Sequence, residues 1–216
     1  EPMQGEGGDR HFRSEFLAEL RRVADEREAL LIFDEVQTGF FGSGKAWLWQ
    51  HMDVAPDIVC FGKKSQVCGL MAGPRLKEFD DNVFATSSRI NSTWGGNLTD
   101  FVRARLILET IERDDLVRNA EVVGAELIAG LNEFGASHEM VSSVRGRGLF
   151  AAFTLPSQDI RNRFNSACLE AGMHVLNSGT QSIRLRPSLT FSSDEVNEGL
   201  NILESVANSI ESSAVA

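Results

Sequence analysis

Leu30-Leu31-Ile32-Phe33-Asp34-Glu35-Val36-Gln37-Thr38-Gly39 and, further on, Ile58-Val59-Cys60-Phe61-Gly62-Lys63-Lys64 are the two stretches that decide how this sequence is read. Each opens with a short apolar run of strand length and closes on charged residues and glycine. Between them lie the Gly-rich segment Gly39–Gly44, a short helical stretch around Ala46–His51, and Pro56-Asp57. Two strands with loop and helix between them fit a parallel α/β sheet, and such sheets build their sites at the carboxyl ends of strands. Asp34 and Lys63, 29 residues apart, are thus an acid and an amine expected at one sheet edge.

Outward from this pair, residues from about 9 to 28 carry Phe12, Phe16, Leu17, Leu20 and Val23 at helical spacing, with Asp9 as the expected N-cap. Gly69-Leu70-Met71-Ala72-Gly73 reads as a third short strand ended by Pro74, continuing a parallel, doubly wound sheet. Past Asn91–Asn97, Leu98, Phe101, Val102, Ile107 and Ile111 give one helical segment a buried face, and a second runs from about Leu116 to Phe134. The pattern then changes to short runs, Leu149–Phe153 and Ile183–Leu185, alternating with helices near 159–171 and 194–210, the last with Ser193-Asp194 as cap. The expected division is 1–135, part of a large domain with an interdomain helix, and 136–216, a smaller α+β domain. The chain starts Glu1-Pro2-Met3-Gln4-Gly5-Glu6-Gly7-Gly8, a Gly-rich loop leading into a helix with no strand ahead of it. A fragment cut just after a missing strand is the expectation.

The 216 residues carry a formal charge of −10, which argues against nucleic acid and anionic membranes as partners. No apolar run approaches the ~18 residues of a membrane span. Three cysteines without framework spacing fit a reducing compartment, and the expected location is the cytoplasm.

An acid and a lysine at a strand edge suit a cofactor with a ring nitrogen at one end and an aldehyde at the other, and pyridoxal 5'-phosphate is such a molecule. A carboxylate keeps the pyridine nitrogen protonated, so that the ring accepts electrons from a carbanion. A lysine amine in a desolvated site binds the aldehyde and shuttles protons. On spacing alone, Asp34-Glu35 reads equally as a strand end that caps the next element, and Lys63-Lys64 as a solvated turn. Gly39-Phe40-Phe41-Gly42-Ser43-Gly44-Lys45-Ala46 imitates a nucleotide-binding loop, but Ala46 stands where Ser or Thr must ligate Mg²⁺. The four histidines are scattered without i, i+4 pairing or C-x₂-C spacing, so no metal site is expected. Phe40-Phe41 and Trp47/Trp49 read as packing, and Cys68 lacks the paired base of a nucleophile.

Ile32-Phe33-Asp34-Glu35-Val36-Gln37-Thr38-Gly39 closely resembles the signature of class III, pyridoxal-phosphate-dependent aminotransferases. The likeness continues in the same order through Glu1-Pro2-Met3-Gln4-Gly5-Glu6, Pro56-Asp57-Ile58-Val59, Phe61-Gly62-Lys63, Ser92-Thr93-Trp94-Gly95-Gly96-Asn97 and Arg184-Leu185-Arg186-Pro187-Ser188-Leu189. Phe61–Gly69, Arg10-His11-Phe12-Arg13 and Arg89–Trp94 resemble the L-lysine 6-aminotransferase branch, with ornithine and 4-aminobutyrate aminotransferases as the alternatives.

The resemblance implies a fold-type I transferase: part of a mostly parallel large-domain sheet plus the smaller C-terminal domain. It implies Lys63 as the Schiff-base lysine, Asp34 at the pyridinium nitrogen, Gln37 on the phenolic oxygen and Val36 beneath the ring. Thr93, assisted by Ser92, would reach the cofactor phosphate of the partner in a homodimer with shared active sites. Arg184 would clamp a substrate carboxylate, with Arg186 as a rival. Glu6 would pair with Arg184 while an ω-amino substrate is bound, then swing away for 2-oxoglutarate, and Asn91 would line the substrate tunnel. The donors implied are L-lysine or a related ω-amino acid. Family members also carry an N-terminal Gly-rich phosphate cradle and a ring-stacking aromatic; neither is in these residues, so a non-catalytic fragment is a further alternative.

Overall fold

The computed structural model describes residues 1–90 and 93–215, so the expectations for Asn91 and Ser92 lie outside the described residues. In chain order the strands are β1 (Met3–Gln4), β2 (Arg10–His11), β3 (Ile32–Asp34), β4 (Ile58–Phe61), β5 (Gly69–Ala72), β6 (Ser142–Arg147), β7 (Phe150–Thr154), β8 (Leu176–Ser178) and β9 (Ser182–Leu185). The α-helices are α1 (Ser14–Glu26), α2 (Leu98–Arg113), α3 (Leu116–Ser137), α4 (Gln158–Glu170) and α5 (Ser193–Val215). No helix among the described residues is long and apolar enough to cross a membrane.

Two compact units emerge. The first holds Glu1–Pro2, Phe12–Phe40 and Ala46–Asp114; the second holds Met3–His11, Phe41–Lys45 and Asp115–Ala216. The main division thus falls at Asp114/Asp115, ahead of the change of pattern near 136. Helix α3 explains the offset: Ala120, Val123, Leu127, Leu131 and Phe134 form one apolar stripe in the core of the second unit.

In the first unit β3 and β4 pair in parallel, with Phe33 opposite Val59 and Asp34 opposite Cys60. Asp57 fixes that register. Its carboxylate accepts bonds from the Leu31 N–H at 2.7 Å, Arg21 at 2.7 Å and Arg75 at 3.5 Å. Burial works against its charge, yet the bonds from Arg21 and Leu31 prevail and hold its carboxyl below the usual range. The expectation that the third strand continues a parallel sheet is corrected, because β5 runs antiparallel to β4. The connection between them, Gly62 to Cys68, is too short for the crossover that parallel strands need. Helix α1 starts at Ser14, behind Arg13, and not behind Asp9. It buries Leu17 while leaving Phe16, Leu20 and Val23 exposed.

The second unit is built on a four-stranded antiparallel sheet of order β6-β7-β9-β8, and it also holds the two-stranded β1-β2 as a separate ladder. Helix α3 packs on β6 and β7, α4 on β8 and β9, and α5 against both helices. Phe153 sits edge-on to Phe134 at 5.5 Å and to Phe164 at 5.6 Å, which fills the middle of the core. Along β9 the pleat alternates: Ile183 and Leu185 enter this core, so Ser182, Arg184 and Arg186 project from the opposite face. On that face Ala152 pairs with Arg184 on one side and Arg145 on the other, a small residue between two long cations. Helix α5 begins one residue earlier than the expected cap allows. Ser192 Oγ accepts the Glu195 N–H at 3.3 Å and the Glu195 carboxylate accepts the Ser192 N–H at 2.8 Å, a reciprocal cap.

Candidate active site

Strand β3 delivers Asp34 to its carboxyl end as an exposed side chain, while the next residue, Glu35, turns inward and is buried. Asp34 Oδ1 accepts the Val36 N–H at 2.9 Å, which orients the carboxylate through its own turn. Glu35 accepts the Leu48 N–H at 2.8 Å, the Trp49 N–H at 2.7 Å and the Thr38 hydroxyl at 2.8 Å. Burial pushes its carboxyl up, and these donors oppose the shift. The bonds tie down the loop that follows Asp34. Sequence reasoning missed this tie, although a doublet of acids at a strand end signals it, since neighbouring residues must face opposite ways.

Strand β4 ends at Phe61, and Lys63 follows two residues later at φ 53°, a left-handed conformation unusual for lysine. A Cβ at Gly62 would meet Cys68 Sγ at 2.9 Å, so a larger residue there would push that side chain aside. Lys64, its neighbour, donates Nζ to the Gln37 carbonyl at 2.5 Å and so holds the half-buried Val36-Gln37 turn. Among the described residues neither Asp34 nor Lys63 takes part in an ion pair. Trp47 lies against Gly39, where a Cβ would meet its ring at 2.5 Å, and 5.7 Å from the Phe61 ring, so its role is packing. Thr93 is exposed in the turn before α2, whose first N–H groups are capped by Asn97, Oδ1 accepting from Thr99 at 2.9 Å.

The second unit brings Glu6 and Arg184 together across 178 residues of sequence, Nη2 to Oε1 at 2.7 Å. Arg184 also donates Nη1 to the Gly5 carbonyl at 3.0 Å. The Glu6 side chain is 72% exposed and that of Arg184 11%, so the acid is the half of the pair with room to move. Arg186, the rival clamp, is engaged elsewhere: it pairs with the buried Asp9 and lies 4.8 Å above the Phe150 ring. Asp9 is thereby a buried ion-pair partner rather than a helix cap, with φ 53° and its carboxylate turned to Arg186. Among the described residues no cluster of three or more His, Cys, Asp or Glu side chains fits a metal ion.

The family described as Aminotransferase class-III matches residues 1–207. The chain belongs to the class-III aminotransferase family. It is 53% identical over 206 residues to an L-lysine-epsilon aminotransferase of Mycobacterium bovis, covering 95% of this chain and 46% of that protein. It is 44% identical to its namesake in Streptomyces clavuligerus, covering 99% of this chain and 47% of that protein. A solved lysine aminotransferase from M. tuberculosis superposes with a TM-score of 0.95 at 52% identity, over 97% of this chain and 48% of that one. The chain therefore spans about half the length of the curated relatives it matches.

Class-III aminotransferases depend on pyridoxal phosphate. The residues present fit that group at its ring end. An acid and an amine, neither in an ion pair among the described residues, follow two hydrogen-bonded parallel strands, and a glycine close to Cys68 precedes the amine.

Proposed function

We propose that this protein is an aminotransferase that moves the ε-amino group of L-lysine to 2-oxoglutarate, giving glutamate and an aldehyde that cyclises. The observation that carries the reading is the Asp34 and Lys63 pair at the ends of adjacent parallel strands in a class-III chain. The choice of lysine as donor is supported by 53% and 44% identity to L-lysine-epsilon aminotransferases.

When bound, pyridoxal phosphate supplies an aldehyde that captures amines and a protonated ring that takes up the electron pair released at the substrate carbon. Asp34, oriented by the Val36 N–H, would hold the proton on the ring nitrogen. The Lys63 amine would hold the cofactor aldehyde and, as a free amine, would carry a proton to and from the substrate carbon. Gln37, in a turn held by Lys64, would donate its side-chain amide to the ring oxygen, and Val36 would pack beneath the ring. Thr93 would contribute to the phosphate site of a partner subunit, and the working form is a homodimer in the cytoplasm.

Arg184 binds the α-carboxylate of 2-oxoglutarate, for which a planar fork of donors is suited. Glu6 neutralises Arg184 while the uncarboxylated end of lysine reacts. A sodium borohydride experiment tests the core of this scheme. In the complete protein with pyridoxal phosphate, reduction is expected to fix the cofactor on the peptide that contains Lys63. Lys63→Ala is expected to abolish the fixation and to lower transamination by about 10³-fold or more, as nucleophile and proton carrier are lost together. Consumption of 2-oxoglutarate with ornithine and none with lysine would overturn the donor assignment.

A further inference from the structure

The segment that carries Glu6 is fastened on both sides of that residue. Ahead of it, the Gly5 carbonyl accepts the Ser178 hydroxyl at 2.6 Å as well as Arg184 Nη1. At Glu6 itself the carbonyl accepts the Gly179 N–H at 2.9 Å. Beyond it, the Gly8 N–H donates to Ser178 Oγ at 3.0 Å, and the Gly8 and Asp9 carbonyls accept the two ends of the Arg145 guanidinium. Ser178 is buried, with 3% of its surface exposed, and is bonded to the chain before and after Glu6 at once. Gly179 approaches so closely that a Cβ there would lie 3.0 Å from Gly8 Cα. The carbonyls of Gly5, Glu6, Gly8 and Asp9 and the Gly8 N–H are all committed, whereas the Glu6 carboxylate meets Arg184 at an exposed position.

We propose that Ser178 and Arg145 are positioning residues that fix the backbone around Glu6, so that partner exchange at Arg184 is a rotation of the Glu6 side chain alone. The inference rests on the reading of Glu6 and Arg184 as the carboxylate-handling pair. Arg184 has a permanent and an exchangeable contact: Nη1 stays on the Gly5 carbonyl and keeps the guanidinium plane aimed, while Nη2 passes from Glu6 to a substrate carboxylate. Because the backbone is pinned, Glu6 returns to Nη2 whenever no carboxylate is present, and donors that react at an end without a carboxylate are favoured. A loosened segment spreads Glu6 over more positions and leaves Arg184 open to α-carboxylate donors.

The test is a double-mutant cycle in the complete holoenzyme. The first half-reaction is followed through the cofactor absorbance with L-lysine and, separately, with L-glutamate. Ser178→Ala is expected to shift the lysine-to-glutamate ratio of kcat/KM about five-fold toward glutamate, the effect of one ordinary hydrogen bond. Ser178→Thr keeps the hydroxyl and is expected to restore the ratio. In a Glu6→Ala background, Ser178→Ala is expected to leave the ratio where Glu6→Ala alone puts it. Should Ser178→Ala fail to fold, Arg145→Lys is held to the same two expectations. A shift that persists without Glu6, or no shift with Glu6 in place, overturns the positioning role. If Glu6→Ala by itself leaves the ratio at the wild-type value, the carboxylate-pair reading is what fails, and the inference falls with it.

Discussion

Lys63 and Lys64 are chemically alike and adjacent, yet the fold gives them different work. Lys64 is drawn to the Gln37 carbonyl, and Lys63 has no ion pair among the described residues. Lys64→Met is therefore expected to keep borohydride fixation of the cofactor while weakening cofactor affinity several-fold, as the Gln37 turn loosens; full loss of fixation would contradict the division of labour. The local motif made Asp34 and Lys63 legible in the sequence, because acid, lysine and glycine lie within a few residues of their strands. Asp9 was not legible, since its partner Arg186 stands 177 residues away. Burial raises the cost of the Asp9 charge, but His11, 3.7 Å away, and the charge and hydrogen bond of Arg186 outweigh it and keep the carboxyl below its usual range. A depressed carboxyl contributes stability that is present above its unfolded value near ~3.9 and is lost as pH falls through the folded value. Asp9→Ala leaves Arg186 half-buried and unpaired, and a loss of about 3 kcal/mol in urea unfolding is expected. A change within about 0.5 kcal/mol, the range of a neutral surface substitution, would refute the pairing.

Between elements, the contact of α3 with α5 carries a titratable bridge. His138, buried just past the end of α3, bonds Glu211 through Nδ1 at 2.9 Å and Glu204 through Nε2 at 2.7 Å, both acids on α5. Burial opposes the imidazolium, yet the bonds and charges of the two glutamates prevail and raise its pKa above the ordinary value. A raised histidine contributes stability that is full below the unfolded value of about 6.5 and disappears as pH rises through the folded value. The melting temperature is thus expected to fall from pH 6 upward by more in the wild type than in His138→Gln, and parallel curves would sink the bridge. The same helix meets the β6–β7 turn at Gly124, where a Cβ would stand 2.3 Å from the Gly148 backbone. Backbone cannot yield as a side chain can, so Gly124→Ala is expected to destabilise by about 1–3 kcal/mol. The long helices and β7 follow from apolar periodicity, but β6, Ser142-Ser143-Val144-Arg145-Gly146-Arg147, does not. Its Arg145 reads as a solvent-facing charge until the Gly8 and Asp9 carbonyls that it serves are known.

At the scale of the whole molecule, the proposed ring-end residues Asp34 and Lys63 belong to one unit and the Glu6–Arg184 ion pair to the other, and the exposed apolar surface is the remaining feature to explain. Helix α2 buries Ile111 but exposes Leu98 at 80%, Phe101 at 51%, Val102 at 58% and Leu106 at 56%, a stripe with helical spacing. Trp94, just before it, is 81% exposed. Apolar stripes of this extent mark surfaces that are covered by other protein. The expected buried face of this helix is thus corrected: of Leu98, Phe101, Val102, Ile107 and Ile111 only Ile111 is buried, because periodicity marks a face as apolar without saying what packs on it. A helix so exposed drives association when nothing else shields it. The 216-residue chain alone is expected to bind anilinonaphthalene sulfonate and to sediment as concentration-dependent oligomers, and Leu98→Glu with Val102→Glu is expected to reduce both. In the complete protein the same pair of substitutions is expected to weaken subunit or domain assembly instead. A monodisperse, dye-silent 216-residue monomer at micromolar concentration would show that the stripe is tolerated in water and needs no cover.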